Sequence, residues 1–347
     1  MKLLYQKEKY KRFNKHKIEK LKRKYRKKKV KKNKYIAELD RHNRLIASKE
    51  LIKFPEKLYL ANKNEEVFAL IEKIEGKNDV VLDFSRTKYI DIGSALYIKA
   101  FIDHLKDENK RYKITCLSKN KKMRQILQHI EIHNYGIRVT SPDIKCWEIR
   151  TWQKGDMVNY GSVMMTEILP KVLKDKRPSD EFSDIAASLQ EILSNCSEHA
   201  YTENDEYKNY YLIAGEYENS YGKSNSFTFC IIDRGQGFRS SLAKNKNNFF
   251  VEIFKNLQSS EHDSDLLKAA INGEDTSKEG GGKLAGRGTG LSNVVENIRT
   301  IGGSFCVYSD RGSYKVSQYK DTPRERKIPI KGAIIEMILP INGRKNT

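Results

Sequence analysis

Three groups of residues in this 347-residue chain have types and spacings that can do chemistry. Glu191, Asn195 and His199 stand four apart, so on a helix they form one polar stripe. A carboxylate in such a stripe can activate water as a general base. An Asn carbonyl is a hard oxygen ligand suited to Mg²⁺ between phosphates. The second group is Asp233-Arg-Gly-Gln-Gly237, at the end of an apolar run. Glycines there let backbone turn tightly and approach a flat ligand. A buried carboxylate beside them can accept a hydrogen bond from an exocyclic amine such as adenine N6. The third is Gly280-Gly-Gly-Lys-Leu-Ala-Gly-Arg-Gly-Thr-Gly290. Glycines feeding a helix N-terminus make an anion site, to which Arg287 could add charge. This run is neither a Walker A loop nor a dinucleotide fingerprint, because G-K-[ST] and a preceding strand are both missing. Each group alone also has a plain structural reading: a solvated helix flank, a turn, and a loop with a helix cap.

The elements that must position these groups follow from periodicity. Ile185, Leu189, Ile192, Leu193 and Cys196 recur at helical spacing beside the polar stripe, so Ser188–Tyr201 belongs to a helix with a core face. Asp156–Leu173 reads as a helix before it, and Tyr207–Glu218 and Phe227–Ile232 as strands after it. Leu291, Val294, Val295, Ile298 and Ile301 put a helix directly behind Gly290. Residues 238–285 form a long polar insertion. Upstream, strands are expected at Leu58–Ala61, Asp79–Phe84 and Arg111–Leu117. Helices are expected at Glu65–Glu75, Ile92–Leu105 and Lys121–Ile130. That alternation argues for a small mixed sheet with helices packed on it. Residues 36–54 read as a polar helix leading into the fold, and 141–150 as a linker marked by Ser141-Pro142.

Taken together and in order, the three groups resemble the GHKL ATPase superfamily of histidine kinases, gyrase B, MutL, Hsp90 and the anti-sigma serine kinases. The likeness runs over about residues 155–341 and includes a closing strand, Gly332–Pro340. It implies a Bergerat α/β sandwich in which Glu191 is the catalytic base and Asn195 the Mg²⁺ ligand. Asp233 would read adenine, and Gly235 and Gly237 would shape the base pocket. Gly286, Arg287, Gly288, Thr289, Gly290 and Leu291 would hold the phosphates of ATP, with 238–285 as a lid. His199 stands where the serine-kinase branch carries a histidine, and a structural role is as natural for it. Val80-Val-Leu-Asp-Phe-Ser-Arg-Thr-Lys-Tyr-Ile-Asp-Ile-Gly-Ser94 resembles the STAS domain of anti-sigma-factor antagonists, with Asp83 and Asp91 at its two acidic positions. The Ser that a kinase phosphorylates in that family falls on Gly93, with Ser94 one place later. The expected fold class is therefore α+β: a basic arm over 1–54, a STAS-like unit over 55–140, a linker over 141–154 and an ATP-binding unit over 155–347.

The resemblance implies ATP and Mg²⁺ as ligands and slow ATP hydrolysis or protein serine/threonine kinase activity in a bacterial partner-switch-like system. The alternative is a non-catalytic switch whose lid closure controls a protein or nucleic-acid contact. A sensor histidine kinase would need a phospho-accepting His on a dimerising helix pair. His104 lies in the STAS-like part, without the usual flanking sequence. No apolar run reaches the ~18 residues of a membrane span. Five scattered cysteines form no C-x-x-C pair, which makes a reducing cytosol the simplest compartment.

The net charge of +21 belongs to one segment. Residues 1–35 carry 18 Lys and Arg against Glu8 and Glu19, a net +16. Tyr5, Tyr10, Phe13, Tyr25 and Tyr35 are interleaved with them, which suits phosphate contacts plus stacking on nucleic acid. The same composition suits an anionic membrane surface or a solubilising tail. If the arm binds nucleic acid, affinity will be sequence-independent and will fall steeply with salt as counterions are released. Titrations against RNA, duplex DNA and anionic vesicles at matched ionic strength should favour the nucleic acids. Deleting residues 1–35 should abolish that binding; a truncated chain that binds all three equally well makes the arm a spectator.

Overall fold

The computed structural model describes residues 50–60, 65–116, 120–132, 152–155, 161–173, 179–203, 208–218, 225–244, 262–272 and 290–341, with scattered positions between 15 and 27. Those last positions are helical and exposed. The arm's five aromatic residues, the 141–150 linker and residues 286–289 lie outside the described residues.

The chain opens with β1 (Glu50–Lys53) and β2 (Lys57–Leu58), then α1 (Glu66–Glu75), β3 (Asp79–Asp83), β4 (Tyr89–Ile90), α2 (Ile92–Asp107), β5 (Arg111–Cys116) and α3 (Lys121–His129). It continues with β6 (Trp152–Gly155) and a π-helical turn over Met164–Ile168 that runs into α4 (Leu169–Leu173). Next come α5 (Ser179–His199), β7 (Tyr210–Glu218), β8 (Asn225–Asp233), α6 (Gly237–Lys244) and α7 (Asp263–Asn272). The last elements are α8 (Gly290–Ile301), β9 (Ser304–Ser317) and β10 (Asp321–Pro340). The fold is α+β. A three-stranded parallel sheet, β1-β3-β5, and a two-stranded parallel β2-β4 precede a five-stranded sheet, β6-β7-β8-β10-β9, whose pairs are all antiparallel.

Alternation along the five-stranded sheet divides its side chains cleanly. Leu212, Phe227, Phe229, Ile231, Val307, Ile335 and Met337 join the buried cluster of α5 and α8. Tyr211, Ile213, Cys230, Ile232, Tyr308 and Ile334, one position away, join the cluster of α1, α2 and α3. Both faces are therefore dry, and β8 reads as a mainly apolar run, Phe227 to Ile232 broken only by Thr228, as suits a doubly covered strand.

The cover on the second face is α2, which touches β7, β8 and β10 on one side and β5 and α1 on the other. It is buried almost all round, as a helix between two layers is. Its charges are paired: Lys99 Nζ lies 3.0 Å from Asp103 Oδ1, both side chains being buried. Its N-cap is Asp91, whose Oδ1 accepts from Ser94 N at 2.8 Å and whose Oδ2 accepts from Leu60 N at 2.7 Å. Ser94 is fully buried, and its Oγ has no partner. A kinase cannot reach it while α2 sits on the sheet.

Several expectations change. Glu50–Lys53 is a strand parallel to β3, where a polar helix was expected over 36–54. Its hydrogen-bonding partner lies beyond α1, so local propensity gave no sign of it. Trp152–Gly155, at the edge of the linker segment, pairs with β7. Within the polar insertion 238–285, the described residues form α6 and α7. Leu266, Leu267, Ala269, Ala270 and Ile271 of α7 are buried, so this part packs into the core. The closing strand begins at Asp321, well before Gly332. Among the described residues no helix is long and apolar enough to cross a membrane.

Glu336 of β10 faces the α2 side, buried beside Asp91, and burial together with that like charge pushes its carboxyl up to about 8. A raised folded-state pKa adds stability below the ordinary value of 4.5, and that stability is lost as pH rises through 8. Glu336→Gln should therefore melt higher than wild type at pH ~9 and show little gain at pH ~4.5. Identical melting differences at the two pH values would contradict the buried protonated carboxyl.

Candidate functional site

Helix α5 forms because its apolar residues fall on one stripe, and that stripe packs on the five-stranded sheet through Ile185, Leu189, Ile192, Leu193 and Cys196. The same register leaves Glu191, Asn195 and His199 half-buried at its flank. Helix α8 packs beside it through Val294, Val295, Ile298 and Ile301. Asn297 Nδ2 ties the two helices by donating to Ser188 Oγ at 3.0 Å and to Asp184 O at 3.2 Å. This pairing aims the N-terminus of α8 at Glu191. A Cβ placed on Gly290 would lie 1.6 Å from Glu191 Oε1, so only glycine fits while the carboxylate holds that position. The carboxylate thus sits against the electropositive end of α8. Asn195 Nδ2 fixes it by donating to Glu191 Oε1 at 2.7 Å and to Glu191 O at 2.9 Å.

Asp233 ends β8 and, by strand parity, points to the α5 side. It is 4% exposed. Its Oδ1 accepts from Gly235 N at 2.9 Å. Burial pushes its carboxyl up to about 6, against the backbone N–H groups of Gly235 and Ala333, which favour the charged form. The loop that follows is clamped to the end of α5. Gln236 N donates to Ala200 O, and Gln236 Nε2 donates to His199 O, both at 2.9 Å. A Cβ on Gly235 would meet Ala200 O at 1.8 Å, so the close approach requires glycine. Gly237 then opens α6. The first amides of that helix are satisfied from β9, Phe238 N by Ser309 Oγ at 2.8 Å and Arg239 N by Asp310 Oδ2 at 3.2 Å. Arg239 also pairs with Asp263 at the start of α7.

A cavity of about 60 Å³ lies where these elements meet. Asn195, His199, Asp233, Gly237 and Leu291, from all three motif groups, line it, with Phe238 and Ala270 as its other wall. Glu191 and Gly290 meet at one flank. Gly286, Arg287, Gly288 and Thr289 lie outside the described residues. Sequence reasoning missed Phe238, Ala270 and Ile335 as lining residues. Only the position of Phe238 next to Gly237 could have signalled one of them.

A larger cavity, about 1030 Å³, is elsewhere, at the carboxyl ends of β1 and β3 among Lys53, Phe54, Leu70, Lys73 and Arg86. It is wide and open and holds no residue of the three groups around Glu191, Asp233 and Gly290, so volume and chemistry disagree. The convergence of three separated motifs is the stronger guide. Among the described residues no cluster of three His, Cys, Asp or Glu could hold a metal ion by itself. Neither the protein-family models nor the curated proteins contain a match to this chain.

Keeping Asp233 ionised in this site costs stability. A rise from 3.8 to about 6 corresponds to roughly 3 kcal/mol at pH above 6. The sign is that of a raised carboxyl: the contribution is full below 3.8 and is lost as pH rises through 6. Asp233→Asn should therefore melt above wild type at pH ~7.5, with the gap closing towards pH ~4. A melting temperature below wild type at both would mean that the carboxylate is a net structural anchor.

Proposed function

We propose that the chain binds Mg·ATP in the cavity between α5, the end of β8 and the N-terminus of α8, as a GHKL-type protein with slow ATPase or protein serine/threonine kinase activity in a bacterial partner-switch-like system. The observation that carries this reading is the convergence of Asn195, Asp233, Gly237 and Leu291 on one cavity, with Glu191 and Gly290 in contact beside it. The antiparallel sheet covered by α5 and α8 supports this reading. The α/β layer on its other face, with Asp91 capping α2, suits the STAS-like half of the reading.

The residues have distinct work in this account. Asp233, ionised above its raised pKa, accepts from the adenine amine. Gly235 and Gly237 bring backbone close to the base edge. The N-terminal amides of α8 take a phosphate, for which the helix end is suited. The Glu191 carboxylate meets that end at Gly290, so a phosphate bound there turns it aside towards the attacking nucleophile. Glu191 then removes the proton from water, or from a substrate hydroxyl, as its oxygen bonds to the γ-phosphorus and ADP leaves.

The residues also fit Mg²⁺. Both hydrogen bonds of Asn195 use Nδ2, which leaves its amide oxygen as the donor to a cation. Bound there, Mg²⁺ would neutralise phosphate charge. A volume of about 60 Å³ has room for a few waters and not for a purine, so base entry moves the Phe238 and Ala270 wall outward. A specific observation favours the non-catalytic switch as the second reading. Arg234, next to Asp233, reaches Glu75 of α1 at 3.0 Å, which links the base pocket to the other layer.

Glu191→Ala should bind ATP and lose turnover. Asp233→Asn should lose about 1.5–3 kcal/mol of ATP affinity through the missing charged acceptor. Calorimetry and labelled ATP with Mg²⁺ check both: free phosphate marks an ATPase, labelled protein a kinase, and binding with neither marks the switch. Wild-type affinity in a folded Asp233→Asn rules out the adenine role. Wild-type turnover in Glu191→Ala rules out the base.

A further inference from the structure

A third cavity, of about 290 Å³, lies between α2 and the loop after Asp233. His104 and Asp107 of α2, Tyr201, Tyr211, Arg234 and Lys331 line it. Parity puts it across the sheet from the proposed nucleotide site. Asp233 and Arg234 are consecutive at the end of β8, so their side chains leave on opposite faces.

Arg234 is the unusual residue here. Its side chain is only 8% exposed. One nitrogen, Nη2, donates to Glu75 Oε1 at 3.0 Å, and the guanidinium lies 5.6 Å from the centre of the Phe101 ring. The remaining nitrogens, Nε and Nη1, are buried with no hydrogen-bond partner. A buried charged donor without an acceptor is costly, and structures keep few of them. Lys331 adds a second cation on the cavity wall. Asp107 is the carboxylate among the lining residues, and it has interactions of its own. The field that results is felt by His104. Burial lowers its pKa most, and Arg234 and then Lys331 lower it further, while Glu108 acts in the opposite sense. Arg234, Lys331 and the His104 imidazole thus line one small polar space.

We propose that this cavity is a binding site for a small oxyanion, a phosphate- or carboxylate-bearing molecule, held by Arg234 and Lys331 with His104 at its edge. Arg is the side chain best suited to such groups, since its fork of donors matches their oxygens. The volume is at the low end for ligand pockets, which suits phosphate or a small carboxylate. The site does not rest on the ATP reading, because it uses the opposite face of the sheet and none of the same side chains.

The test uses the full chain without nucleotide. Inorganic phosphate and, separately, succinate are titrated at constant ionic strength, with chloride as the control, while NMR follows the imidazole signals. The His104→Gln variant assigns the His104 signals. The site predicts a saturable shift of His104 with phosphate or succinate and none with chloride. Lys331→Gln, an exposed position that should fold normally, should weaken that binding about tenfold, the value of one charged contact. His104 signals that ignore both anions, or that respond equally to chloride, overturn the proposal. So does wild-type affinity in Lys331→Gln, which would place the anion elsewhere, for example at the α8 N-terminus. Loss of ATP binding in Asp233→Asn bears on the nucleotide reading alone and leaves this result unchanged.

Discussion

The structure depends on one constraint: the five-stranded sheet has two apolar faces and must be covered twice. Phe227, Phe229 and Ile231 face α5 and α8, while Cys230 and Ile232 face α2. At about 25 cal/mol per Å² of apolar surface, leaving either face in water would cost more than a typical domain's net stability. Helix α2 cannot therefore be a detachable neighbour in this packing. It is the middle layer between a parallel and an antiparallel sheet. Its own charges, Lys99 and Asp103, stay inside only because they pair.

That double cover also places the chemistry. At the end of β8 the parity of one strand sends Asp233 to one face and Arg234 to the other. Asp233 enters the cavity formed with α5 and α8, and Arg234 enters the layer of α1 and α2. A movement of this loop is therefore felt on both sides of the sheet. Both faces also bury a carboxyl, Asp233 on one and Glu336 on the other, each with its pKa raised by desolvation. In Glu336 the shift is shared with Asp91, the cap of α2, while Arg234 and Glu75 form a complementary pair across the same interface. Ser94 is locked beneath it, and modification there requires the layers to separate.

Much of this was legible in the residues. The α5 stripe follows from spacing, and its flank of Glu191, Asn195 and His199 lies as the spacing predicts. β8 was legible because a doubly buried strand is mainly apolar, as Phe227–Ile232 is apart from Thr228. β1 was not, because Glu-Leu-Ile-Lys is four residues long and finds its partner only beyond α1. α7 was hidden by composition: two of its buried residues are Ala, and Asp263, Asp265 and Lys268 make the segment read as solvated. The long hairpin was obscured by Asp310 and Gly332. Both have positive φ and look like turn residues, yet β9 and β10 continue through them with a shift in register. No periodicity could say that α2 lies between two sheets, because its Lys99 and Asp103 mimic a solvent-facing stripe. Arg234 gave no signal beyond its place after Asp233.

The central claim is that the loop after β8 and the N-terminus of α8 are two walls of one nucleotide site. Backbone hydrogen exchange of the full chain, with and without Mg·ATP, tests it most directly. The account predicts slower exchange at the amides of residues 233–238 and 290–292 together, saturating at one ATP concentration. Protection of neither segment, or of one without the other at saturating nucleotide, would contradict it.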